Sequence, residues 1–231
     1  MDVGLYIAAS GMLAEQVRQD QLTNDLANAS TPGYKQDRSV QSSFPSLLLA
    51  NSSTGQRIGS LGTGVTISKI VTDMTPAPLQ QTGQPLDFAV EGTGFFGVRT
   101  PQGIRYTRDG QFSANAQGVL VDAQGNQVLG QGGAPIRVSA KGTVPPTALG
   151  VFDVPAARKQ GNNLFTGAAA GRATGTVRQG EIEGSGADPV HTMVDMMASM
   201  RAYESGQKVI QSIDETLGQS AGSVGSIGSG G

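Results

Sequence analysis

Cysteine is absent and histidine occurs once, at His191. The first absence excludes a disulfide framework, a thiolate zinc site and a cysteine nucleophile. With a lone imidazole, a histidine-based metal site or a catalytic triad has no second member to draw on. Aromatic residues make up 5% of the chain and hydrophobic residues 37%, which argues against one large core and for two modest units within 231 residues. No lysine or arginine run stands out, and a net charge of −2 with a pI near 5.4 leaves no footprint for nucleic acid or an anionic membrane surface. No apolar run approaches the ~18 residues of a membrane span. The start, Met1 to Leu5, lacks the basic and apolar regions of a secretory signal, so a soluble protein without a cleaved signal is expected.

What the chain has instead is glycine, 34 of them, and two helical ends. Met193, Met196, Met200, Tyr203, Gly206, Ile210, Ile213 and Leu217 follow at steps of three or four, which predicts a helix over Pro189 to Leu217 with a long apolar seam. Asp188 is its expected N-cap and Pro189 its first helical residue. At the other end Leu5, Ala8, Met12, Glu15, Gln19, Leu22 and Leu26 give a seam apolar at its ends and polar in its middle, within a helix over Leu5 to Asn28. Gly11 weakens that helix by ~1 kcal/mol relative to alanine, a loss that either a close neighbouring backbone or a local kink would explain. Thr31-Pro32-Gly33 stops it, because Pro32 forces Thr31 out of the helical region and Gly33 can turn.

Between the helices the sequence predicts β structure. Residues 34–79, rich in Ser, Thr, Gly and Gln, read as an extended connector. Short strands are expected at Leu86 to Val90, Phe95 to Arg99, Ile104 to Arg108, Gln111 to Ser113, Val119 to Val121, Val128 to Leu129, Ile136 to Val138 and Leu149 to Phe152. They make an antiparallel domain over 80–166, with the main core on Phe88, Phe95, Phe96, Tyr106, Phe112 and Phe152. A Gly/Ala-rich return linker over 167–186 leads to the second helix, 187–218, and a flexible tail over 219–231. The fold class expected is α+β, with helices at 1–33 and 187–218 pairing like a coiled coil beside a small all-β domain. The second seam is too long for one partner helix, so its surplus predicts packing against further copies.

Chemistry has few places to reside. His191 stands by Asp188 and Asp195 in a helix's first turn, and Asp195, Glu204, Asp214 and Glu215 read as a solvated face. Asp87, Glu91 and Asp109 lie beside turns without a converging pair. Gly92-Thr93-Gly94 has no Lys-Ser/Thr after it, and Gly184-Ser185-Gly186 has no strand before it and no histidine partner of the right kind. No catalytic, cofactor-binding or metal-binding residue is expected, and the protein reads as no enzyme.

Several stretches resemble one family, the axial rod, hook and hook-associated proteins of the bacterial flagellum. Ala8 to Met12, then Leu22-Thr23-Asn24-Asp25-Leu26-Ala27-Asn28-Ala29-Ser30-Thr31-Pro32-Gly33-Tyr34-Lys35, resembles its N-terminal signature, with Asp25 where a second Asn is usual. Leu86 to Phe96 and Tyr106 to Phe112 resemble its β-domain motifs. Gln179 to Ser185, Met193 to Met197 and Arg201-Ala202-Tyr203-Glu204 resemble its C-terminal signature, with Gly186-Ala187-Asp188 in place of N-V-x. Leu129 to Ile136 and Glu183-Gly184-Ser185 look closest to proximal rod members, with distal rod or hook-type members as the alternative. The resemblance implies a structural subunit of the basal-body rod without a cofactor, whose terminal helices line an axial tube and whose β domain lies outside them. It implies as partners further copies, other rod subunits and hook-side axial proteins. The flagellar type III apparatus would export it without a cleaved signal, with no nucleic acid bound and no direct membrane insertion. A soluble adaptor is the alternative of another class; it predicts folded helical ends in dilute solution, where a rod subunit's ends order on assembly.

Overall fold

The computed structural model describes residues 2–50, 56–161 and 163–227. The chain forms two compact units: residues 1–26, 37–71 and 189–231 make the first, and residues 27–36 and 72–188 the second. Helices at both ends and antiparallel strands between them make the fold α+β.

In the first unit, helix α1 spans Asp2–Ala27 and helix α2 spans Pro189–Ile227. The first runs through Gly11 without a break, and nothing lies within 4 Å of where a side chain at Gly11 would begin, so no backbone of this chain approaches there. The second continues ten residues past the expected end at Leu217 (227 − 217). The expected flexible tail is therefore helical over 219–227, and residues 228–231 lie outside the described residues. Extending an existing helix adds one hydrogen bond per residue fixed, so glycines that would prevent nucleation are tolerated there.

The expected connector is not a connector throughout. Asp37–Ser43 pairs with Val65–Thr72, and Leu47–Ala50 pairs with Arg57–Leu61 in register Leu47↔Leu61. Val65 to Val71 reads as strand-like in the sequence, whereas its partner Asp37–Ser43 is largely exposed and polar and carries little sign of a strand. Ser10 ties this region to α1 by accepting from the Val65 amide at 3.3 Å.

The second unit is built on Phe95–Thr100. It pairs with Gly103–Thr107 along one edge, and with Gln127–Leu129 and Val151–Asp153 along the other. Arg158–Lys159, Leu164–Thr166, Leu120–Val121, Ser113–Ala114 and Gly171–Arg172 complete a nine-stranded antiparallel sheet among the described residues. Alternation along the central strand divides the core. Phe96 and Val98 join Phe88, Phe112, Leu120 and Val128, with Phe96 edge-on to Phe112 at 5.3 Å. Phe95 turns the other way, onto Phe165, Tyr106 and Val154. Ile136 to Val138 forms only isolated bridges; Pro135, at one of them, has no N–H to give a ladder.

The return linker also becomes strand. Thr176–Gln179 pairs with Phe88–Glu91, and Glu181–Glu183 pairs with Leu79–Gln81. Backbone pairing needs no apolar side chains, so a Gly-rich, polar stretch gave no sign of it.

Candidate assembly interface

Within the first unit, four contacts fix how the helices pair. A Cβ at Gly4 would lie 3.6 Å from Ile213 and one at Gly206 would lie 2.7 Å from Met12, Ser199 donates to Glu15 Oε2 at 2.7 Å, and Arg18 approaches Asp195 at 3.9 Å. Ascending numbers on α1 meet descending numbers on α2, so the pair is antiparallel.

The contact row on α2 runs through Met196, Tyr203, Gly206, Ile210, Ile213 and Leu217, all partly buried, as expected. Its first two turns differ. Thr192 and Ser199 are the buried residues there, at 6% and 1% exposure, whereas Met193 and Met200 are 51% exposed. Ser199 bonds Glu15 of α1, and small hydroxyl residues in such a row carry no apolar signal. On α1, Ala8, Met12, Leu22 and Leu26 are partly buried, Ala14 is buried, and Leu5 is exposed. A groove of about 420 Å3 opens along Gly4, Ala8, Gly11, Ala202, Ser205 and Gly206. Arg201 and Glu204 are exposed beside it in the sequence, as is Asn24 on α1. Val190, Val194 and Met197 join Met193 and Met200 as exposed apolar residues of α2.

The rest of the N-terminal signature lies in the second unit. Thr31 donates its amide to Asn28 O at 3.0 Å and its hydroxyl to Asn28 Oδ1 at 3.2 Å, a tight turn after Ala27. Gly33 adopts φ +65°, and a Cβ there would meet the Arg108 carbonyl carbon at 2.3 Å, so only glycine fits. Tyr34 is buried, with Lys159 Nζ 4.0 Å above its ring.

Next to it is an ionic cluster that periodicity could not find. Lys35, Arg108 and Glu183 are 1%, 4% and 0% exposed. Lys35 Nζ donates to Glu183 Oε1 at 2.6 Å and to Thr75 O at 2.7 Å. Arg108 donates to Glu183 Oε2 at 3.0 Å, Val90 O at 3.2 Å and Gly92 O at 2.8 Å, with its guanidinium 5.2 Å from the Phe95 ring centre. The Ala77 amide adds a third donor to Glu183, at 2.9 Å. Burial holds the Lys35 ammonium below its ordinary pKa, against the opposing pull of Glu183. The signal available was that each of the three charges stands within one of the family signatures, beside a turn glycine. Nearby, burial raises the Asp109 carboxyl, partly offset by the Gln111 amide and reinforced by Asp122 and Asp87.

Among the described residues no cluster of His, Asp and Glu could hold a metal ion, and no helix is long and apolar enough to cross a membrane. His191 occupies the first turn of α2, exposed. Through Thr75 O, the Ala77 amide, Val90 O and Gly92 O, the cluster around Glu183 ties separate backbone segments together.

Known proteins match along most of the chain. Residues 5–35 match the flagella basal body rod protein family, 89–156 the flagellar hook protein FlgE/F/G D1 domain, and 178–222 the flagellar basal body rod FlgEFG protein C-terminal family. The flagellar hook-basal body complex protein FlhO of Bacillus subtilis is 31% identical, over 97% of this chain and 99% of the relative. The flagellar basal-body rod protein FlgF of Caulobacter vibrioides is 32% identical, over 93% and 95%. The flagellar basal-body rod protein FlgG of Borreliella burgdorferi is 31% identical, over 93% and 96%. The chain therefore belongs to the flagellar basal-body rod protein family.

Proposed function

We propose that this chain is a structural subunit of the flagellar basal-body rod, polymerising through α1 and α2 into the axial shaft that carries torque toward the hook. The observation that carries the assembly route is the apolar surface left on α2: Val190, Met193, Val194, Met197 and Met200 are 51–67% exposed on a helix whose other side already packs on α1. Repeated heterologous contacts cover such a face on every copy but the last. Its partners on this reading are further copies, neighbouring rod and hook-side axial proteins, and the flagellar export apparatus. It acts in the basal body and has no catalytic role. Leu129 to Ile136 and Glu183 to Ser185 favour the proximal part of the rod over the distal.

The test is Met193→Glu/Met197→Glu in cells lacking the native subunit. The variant is expected to keep wild-type helicity in purified form and to leave the cells non-motile, with rods truncated in electron cryotomograms. Normal motility would remove α2's exposed face from the assembly.

A further inference from the structure

The chain leaves α1 and enters α2 through two short segments of the second unit, 28–36 and 183–188, and these are bonded to each other. The Gly33 amide donates to Glu183 O at 2.9 Å, the Gly186 amide to Tyr34 O at 2.8 Å, and Ser185 Oγ to Asn28 O at 2.9 Å. We infer that residues 33–35 and 183–186 form a register lock, in which Gly33 and Lys35 fit Glu183, Gly184 and Gly186 at one alignment only, with Lys35 as the positioning residue that selects it.

Sterics exclude a slip of the first segment and disfavour one of the second. A shift of the first segment by one residue puts Pro32 or Tyr34 where a Cβ would lie 2.3 Å from the Arg108 backbone. Shifting the second puts Glu183 or Ser185 at the place of Gly184, and Ser185 or Ala187 at that of Gly186, where a Cβ would stand tightly at 3.1 Å from Pro78 O and 3.0 Å from Tyr34 O. Charge opposes both slips. A slip replaces Lys35 by Tyr34 or Gln36 beside a carboxylate with no exposed surface, and a buried pair broken on one side is strongly disfavoured. Segment 28–36 adds little to either core, since Tyr34 is its one buried apolar side chain. Its attachments are polar: besides those above, Asn163 Nδ2 donates to Pro32 O at 2.7 Å and Lys159 Nζ to Lys35 O at 2.8 Å. Such a segment is aligned by its bonds more than it is held by its burial. Each helix is only a few residues away, so the alignment sets the points at which α1 ends and α2 begins.

Lys35→Met tests this in the full chain, because Glu183 keeps Arg108 and the Ala77 amide as partners. With no native cysteine, spin labels go on cysteines at exposed Ser30 and Gln102, both in the second unit. Lys35→Met is expected to broaden their distance distribution roughly twofold and to speed amide exchange at Gly33 and Gly186 about tenfold or more, leaving Val98 and Val128 unchanged. Lys35→Arg is expected to restore the narrow distribution. An unchanged distribution overturns the proposal. So does equal acceleration at Val98 and Val128, or failure of the variant to fold, since Lys35 would then support the whole unit rather than its alignment. Both readouts lie inside the second unit, so neither result bears on polymerisation.

Discussion

Glu183 accepts from two cations and a backbone amide with no exposed surface of its own, so its removal leaves two buried positive charges uncompensated. Glu183→Gln is expected to destabilise the second unit by about 3–5 kcal/mol, read from its denaturant midpoint. Gly33→Ala combines an unfavourable backbone conformation with an overlap against Arg108, and is expected to lose about 3 kcal/mol by the same measurement. Asp109 acts in the opposite sense. Its carboxyl titrates higher in the folded unit than in the unfolded chain, so the folded state binds more protons in that window and stability falls as pH rises through it. Asp109→Asn keeps an oxygen for the Gln111 amide and removes the charge. The variant is expected to melt higher than the parent at pH 7 and to match it well below the ordinary carboxylate pKa. The turn at Gly33 was legible in sequence, but the burial of Glu183 and Asp109 among their partners was not. Lys35 and Glu183 are 148 residues apart, and burial of an isolated charge is decided by where the backbone brings it.

Elements were legible where side chains enforce them. The row from Tyr203 to Leu217 follows from apolar residues at helical spacing, and the central strands follow from Phe95, Phe96, Val98 and Tyr106. At the start of the α2 row the buried residues are Thr192 and Ser199, whose small polar side chains carry no apolar signal, while Met193 and Met200 are exposed. Of the paired strands in 37–72 and 171–183, only Val65 to Val71 read as strand-like, because backbone ladders carry the rest. Two glycines on the facing helices separate internal from external demands. Gly206 abuts Met12, so Gly206→Leu is expected to loosen the helix pair by about 1–3 kcal/mol, seen as faster amide exchange in α1. Gly11 abuts nothing within 4 Å, so Gly11→Ala is expected to stabilise α1 by about 1 kcal/mol in the isolated chain. If a neighbouring copy approaches along the Gly4 to Gly206 groove, that same variant will impair motility.

At the scale of the molecule, the division into two units runs through the signature itself: 27–36 belong with the strands although they continue α1. A fragment of residues 27–188 is expected to be a folded monomer with a cooperative melt, and its failure to fold would make the division wrong. The bonds between 33–35 and 183–186 also have a meaning in time. A contact spanning 148 residues closes late, because the loop between its ends must be ordered before the contact repays the entropy lost. As the chain is made from its N-terminus, residues 28–36 gain their partners in turn, Thr75 first and then Lys159 and Asn163, and the bonds to 183–186 close last. On refolding, the amides of Gly33 and Gly186 should gain protection after those of Val98 and Val128. Completion of the β unit thus reports that nearly the whole chain is present.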